Sequence, residues 1–217
     1  MAVAMAAPTR TCGVSSIWCK IYNSTNTMLI SLALNLLGVV LFLFLFWRRL
    51  KEDYSREIVF GSAFLILLGV VIGFWLSTSF FPNWIFWFEA FGAFLGFSWG
   101  VFKYSLRFFE AFEASFLGLL PWLALFFVTK VIYVSMAILV LIVLFIYLNA
   151  KYKNFAWYKS GRIGVAGLLT AGVFFVGRAS LAIFNPTMVS FAGRSEIILS
   201  AISAFTIFLL VYNLAKG

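Results

Sequence analysis

The sequence contains no histidine and little charge of any kind. Charged residues make up 11% of its 217 positions, and only seven residues are acidic. Histidine is the commonest metal ligand and the side chain best suited to proton transfer near neutral pH, so its absence removes two common elements of a catalytic centre. The two cysteines, Cys12 and Cys19, are a poor metal set by themselves. We predict no metal and no cofactor, and it stays open whether these thiols form a disulfide.

What the chain does contain is apolar: 64% of its residues are hydrophobic, and 28 of them are phenylalanine. Soluble domains carry about 25% charged residues, so this composition excludes an ordinary soluble domain. The net charge of +9 is better explained by basic loops that meet anionic lipid headgroups than by a nucleic-acid surface. The composition therefore predicts an all-α integral membrane protein without a nucleic-acid partner.

Seven apolar stretches are each long enough to cross a bilayer, which takes a helix of about 20 residues. They cover residues 28–47, 58–80, 84–102, 108–128, 131–148, 164–184 and 197–214. Residues 1–27 are rich in Ser, Thr and Asn and lack the pattern of a signal peptide. We predict a surface segment over 1–27, with a helix in part of it left open, and a seven-helix transmembrane domain over 28–217.

The basic residues predict the orientation of the spans. Most of them fall in loops on one side of the predicted membrane: Arg48, Arg49, Lys51, Arg56, Lys103, Arg107, Lys151, Lys153, Lys159, Arg162 and Lys216. Only Arg10, Lys20, Lys130 and Arg194 fall on the other side. Because Lys and Arg concentrate in cytoplasmic loops, the N-terminus is predicted to lie outside and the C-terminus inside.

Arg178 is the one basic residue placed well inside a span. By helical rise it lies ~9 Å below the predicted outer surface, and Glu89 of span three lies ~8 Å below the same surface. Ionisable groups at such depth mark either a functional site or a buried pair. One hypothesis is an outward-facing cavity in which Arg178 binds a lipid phosphate. The alternative is that Arg178 and Glu89 form an ion pair or extend towards the headgroups.

Two further patterns have predominantly structural interpretations. Gly92, Gly96 and Gly100 recur every fourth residue in span three, and Gly69 and Gly73 do so in span two. This spacing favours close helix packing, with ligand access to the backbone as the alternative. Three residues apart at the start of span four, Glu110 and Glu113 are interpreted as solvated or paired with the nearby bases rather than as an acid–base pair.

Four segments support a resemblance to a known family. They are Trp-Arg-Arg at 47–49, Ala-Phe-Gly-Ala-Phe-Leu-Gly at 90–96, Leu-Leu-Pro-Trp at 119–122 and Phe-Phe-Val-Gly-Arg-Ala at 174–179. In this order and topology, from about Met28 onward, the chain resembles the prolipoprotein diacylglyceryl transferases of the bacterial inner membrane. The family's histidine falls on Phe91, an arginine on Val71 and a carboxylate on Ala182. We therefore interpret the chain as a diverged or inactive relative.

The resemblance implies transfer of a diacylglyceryl group from phosphatidylglycerol to a cysteine thiol of a lipoprotein precursor. Arg178 would stabilise the departing phosphate and Glu89 would accept the thiol proton. Phospholipid contacts are expected at Arg178, Gly92, Gly96 and Lys130. The alternative is a non-catalytic membrane subunit or scaffold that packs against partner subunits through its glycine-lined helices. A small transporter is the least supported class, because few spans are broken by proline or polar residues.

Overall fold

The computed structural model describes residues 16–128, 131–151, 164–184 and 192–216, with the side chains of 16–28 and 215 left undescribed. Every regular element in these ranges is helical. The elements are α1 (Ser16–Leu50), α2 (Arg56–Phe80), a 3-10 turn (Pro82–Trp84), α3 (Ile85–Tyr104), α4 (Phe108–Val128), α5 (Ile132–Lys151), α6 (Val165–Phe184) and α7 (Ser195–Lys216). All seven α-helices are long and apolar enough to cross a membrane. The fold is therefore that of a multi-pass, all-α membrane protein, as predicted.

The helix bounds differ from the predicted spans mainly at their ends. Helix α4 has the predicted bounds, whereas α1 begins at Ser16, within the predicted surface segment. Helix α7 begins at Ser195, two residues before the predicted start of span seven. Polar residues at the membrane boundary continue a helix without adding to its apolar stretch, so hydropathy alone places these ends too far inside. The side of the membrane on which each terminus lies stays a prediction.

Helices α2 and α3 pack against each other through their glycines. Gly69 and Gly73 of α2 contact the backbone of α3, and Gly92 and Gly96 of α3 contact the backbone of α2. An added Cβ at Gly69 would collide with the carbonyl group of Gly92. Small residues let two helix backbones approach this closely, as the spacing of these glycines predicts.

Aromatic rings fill the space between α3, α4 and α6. Neighbouring ring centroids lie 5.2 to 6.5 Å apart along a continuous column of phenylalanines. Its members are Phe97, Phe108, Phe112, Phe116, Phe174 and Phe86. Rings at these separations attract each other beyond simple area burial. The column thus connects the α2–α3 pair to the other helices by side chains rather than by close backbone contact.

Candidate functional site

Arg178 lies near the C-terminal end of α6 and is 6% exposed. Its Nε donates a hydrogen bond to Oε1 of Glu196 over 2.8 Å, and Nη2 lies 2.7 Å from the same oxygen. A guanidinium with this geometry forms a strong, charge-assisted contact with a carboxylate. The charge that the sequence places inside span six is therefore compensated within the chain.

Glu196 is the most completely buried charged residue of this site, with 0% exposure. Oε1 also accepts a hydrogen bond from the hydroxyl of Ser200 at 2.8 Å. Oε2 accepts one from the indole Nε1 of Trp87 at 2.8 Å and one from the backbone N–H of Ala192 at 3.3 Å. We call Arg178, Glu196, Trp87 and Ser200 the Arg178 cluster. The cluster joins α3, α6 and α7 through one carboxylate whose two oxygens both accept hydrogen bonds.

The position of Glu196 in its helix adds to its stability as an anion. Helix α7 begins at Ser195, so Glu196 lies in the first turn. A negative charge there interacts favourably with the helix dipole and the unpaired backbone N–H groups.

Phe86 of α3 covers the guanidinium of Arg178. The guanidinium carbon lies 3.6 Å from the centroid of the ring. An arginine over an aromatic face gains a cation–π attraction, which is strongest where water is excluded. Phe86 also belongs to the aromatic column, so the cluster continues directly into the packing between α3 and α6.

The ion pair between Arg178 and Glu89, one of the alternatives to a lipid-binding cavity, is wrong, because the carboxylate that pairs with Arg178 is that of Glu196. Sequence reasoning missed Glu196 because span seven was predicted to begin at residue 197. The signal that points to it is an acidic residue in the first turn of the span that follows Arg178. Glu89 itself lies half-buried in α3. It makes no hydrogen bond or ion pair with any residue that the structure describes.

A second polar cluster lies at the opposite end of α6. Glu113 of α4 is 1% exposed and forms an ion pair with Arg49 at the end of α1. Nη2 of Arg49 also lies 3.5 Å from Oδ1 of Asn149 on α5. Gly167, in the first turn of α6, lies against Glu113: a Cβ added there would lie 3.1 Å from the Cγ of the glutamate. We call Arg49, Glu113, Asn149 and Gly167 the Glu113 cluster, which joins four helices at the N-terminus of α6.

The expected pairing with a nearby base is confirmed for Glu110 and is wrong for Glu113. Glu110 pairs with the nearby base Arg107 over 3.0 Å and accepts a bond from the Tyr54 hydroxyl at 3.5 Å. The bond to Glu110 raises the pKa of Arg107, so this exposed guanidinium stays charged. Glu113 is neither solvated nor paired with a base in neighbouring sequence, because its partner comes from α1.

The residues expected to contact lipid have different surroundings. Gly92 and Gly96 lie in the contact between α2 and α3, against Gly69 and Leu65. Lys130 and Cys12 fall outside the described residues, as does the side chain of Cys19. In the described ranges, no group of three or more His, Cys, Asp or Glu side chains could hold a metal ion.

The comparisons with known proteins assign no family to this chain. No protein-family model matches it, and neither does any curated protein or any solved structure. The resemblance to the diacylglyceryl transferases therefore rests on the residues quoted for it alone.

Proposed function

We propose that this protein is a non-catalytic membrane subunit or scaffold. The observation that supports the proposal is the state of Arg178, the residue on which phosphate binding would depend. It is 6% exposed and bonded to a carboxylate that is 0% exposed. A lipid phosphate would have to displace Glu196 and leave that carboxylate buried without its cation, which is strongly unfavourable.

The way α6 is held in the bundle is also consistent with a scaffold. The Arg178 cluster connects one end of α6 to α3 and α7. At the other end, α6 packs against the Glu113 cluster, which connects α1, α4 and α5. A bundle held in this way presents its lipid-facing side chains in fixed positions. Such a surface suits the packing of a further membrane protein.

Gentle solubilisation followed by native mass spectrometry tests this proposal. We expect a stoichiometric complex of this chain with another membrane protein, which in-membrane cross-linking from the exposed side chain of Val173 should also capture. Recovery of the chain only as a single species, by both methods and from its own host's membranes, would contradict the proposal.

A transferase-like enzyme is the second candidate, and Glu89 is the observation that favours it. A carboxylate at the same end of the bundle as Arg178, with no partner among the described residues, is a group that a proton transfer step could use. In this reading Arg178 exchanges Glu196 for a phospholipid phosphate during the reaction.

Complementation of a bacterium depleted of its prolipoprotein diacylglyceryl transferase separates the two candidates. The subunit proposal predicts no rescue of growth and no diacylglyceryl transfer to a lipoprotein-precursor peptide in phosphatidylglycerol vesicles. Rescue that is lost in Glu89→Gln, at unchanged protein level, would establish the second candidate. Arg194→Met is a control for the loss of a charge at this end of the bundle, because Arg194 is exposed and lies two residues before Glu196.

A further inference from the structure

Glu89 differs from Glu113 and Glu196, two other carboxylates of the spans, in having no partner within the described residues. Glu113 and Glu196 are each held by an arginine. Glu89 lies half-buried in the second turn of α3 without a hydrogen bond or ion pair in the described part of the chain. An uncompensated carboxylate in a span is a costly group that needs a ligand.

Among the residues that the structure describes, none of those around Glu89 offers it a cation. A Cβ added at Gly73 would lie 3.0 Å from the Cα of Glu89, which places Glu89 at the contact between α2 and α3. The half of α2 that faces it, residues 66–80, is uncharged, as is the 3-10 turn Pro82–Trp84. Ser77, a buried hydroxyl of α2 at this end, already donates to the carbonyl group of Phe81.

The remaining elements packed against α3 carry charges that are engaged elsewhere. Helix α4 has Glu110 and Glu113, which lie at the far end of the bundle and are paired with Arg107 and Arg49. Helix α6 contributes Arg178, whose guanidinium is bonded to Glu196. Within the described residues, none of the charged groups on the helices around α3 is therefore placed to compensate the Glu89 carboxylate.

We propose that Glu89 is a proton-binding site, and that its carboxyl is neutral while α2 and α3 are in contact. Taking up a proton removes the charge without requiring a cation at the helix contact. Release of the proton would place a negative charge beside Gly73, where the two backbones meet, and would favour entry of water and separation of the helices at that end. This inference stands apart from both proposed functions, since it requires neither a partner nor a transferred group.

Dicyclohexylcarbodiimide is a suitable probe, because it partitions into bilayers and reacts with protonated carboxyl groups. The acid proton moves to a carbodiimide nitrogen while a carboxyl oxygen bonds to the central carbon. The acyl group then migrates to nitrogen and leaves a stable N-acylurea, with nothing released. Mass spectrometry of the full-length protein in phosphatidylcholine vesicles would report which glutamate is labelled.

We expect labelling of Glu89 to exceed that of Glu113 and Glu196 by at least about tenfold, because those two carboxylates are already bonded to arginines. Labelling of Glu89 should fall as the pH of the vesicles is raised and should persist in Glu89→Asp. A carboxylic C=O infrared band should be present in the parent protein and absent in Glu89→Gln. Equal labelling of the three glutamates, or no such band, would overturn the proposal whatever the outcome of the transferase and complex measurements.

Discussion

The Arg178 cluster and the Glu113 cluster solve the same problem in different ways. In the first, both partners are withdrawn from solvent, with side-chain exposures of 6% and 0%. In the second, the glutamate is 2% exposed but the arginine is 33% exposed. Glu113 also lies against the first turn of α6, where the helix dipole favours a negative charge. The difference teaches that both partners of the ion pair are withdrawn from water only in the Arg178 cluster, whereas Arg49 of the other cluster remains in contact with water.

The largest effect is expected from Arg178→Met. This change leaves Glu196 buried without a cation, and breaking a buried pair in this way costs about 3–5 kcal/mol of unfolding free energy. The double variant Arg178→Met with Glu196→Leu removes both charges and should recover a large part of that loss. Thermal unfolding in detergent micelles measures both. If the double variant is as unstable as the sum of the single variants, the two residues are not coupled.

Gly167→Ala probes the packing beneath the Glu113 cluster. Its Cβ would lie 2.9 Å from the Cα of Glu113, so α4 and α6 would have to move apart. Overpacking of this kind costs about 1–3 kcal/mol. Gly177→Ala in the same helix is the matched control, because nothing lies within 4 Å of the added Cβ. Equal stability of the two variants, measured by the same unfolding assay, would show that the contact at Gly167 is not tight.

Arg49→Met should reduce the unfolding free energy less than Arg178→Met does. The difference between the two losses tests the comparison of the clusters directly. Because the Arg49 side chain is 33% exposed, water can take the place of its guanidinium beside Glu113. We therefore expect a loss of about 1–3 kcal/mol, the cost of removing one partner from a buried acceptor. Arg48→Met is the control, since Arg48 is exposed and a surface change of this kind alters stability by about 0.5 kcal/mol or less. A loss as large as that of Arg178→Met would show that the two clusters are equivalent.

The smallest effect is expected from Trp87→Phe, which removes one hydrogen bond to Glu196 and keeps the aromatic contact with Phe175. A hydrogen bond to a charged group contributes about 1.5–3 kcal/mol, and the donors that remain on Glu196 should reduce the loss to roughly the lower bound. Trp99→Phe is the control, because Trp99 is 67% exposed. Pulse proteolysis would measure the stabilities of the two variants. Equal stability of Trp87→Phe and Trp99→Phe would show that Trp87 does not contribute to the Arg178 cluster.

Hydropathy was sufficient to predict the spans, because a membrane helix can be identified from the length of its apolar stretch alone. The bounds of α4 are those predicted, and the glycines of α2 and α3 form the contact that their spacing indicates. Arg178 could also be identified as a buried charge, since only its position along the chain was needed.

The partners of the buried charges could not be predicted in the same way. Pairing depends on which helices are neighbours and how each is rotated, and neither follows from depth in the membrane. Glu89 and Arg178 have similar predicted depths, yet the partner of Arg178 is Glu196, at the start of the next helix. Arg49 and Glu113 are 64 residues apart, and only the packing of α1 against α4 brings them together.

Helix α1 has 35 residues and is therefore about 52 Å long at 1.5 Å per residue. The hydrocarbon layer of a bilayer is about 30 Å thick. Unless α1 is strongly inclined, some four turns of it must stand clear of the hydrocarbon as a continuous extension of the membrane helix. A molecule that approaches the membrane at the N-terminal end of α1 would then meet this helical extension before it reached the bundle. A force applied to the extension would be transmitted along α1 to Arg49.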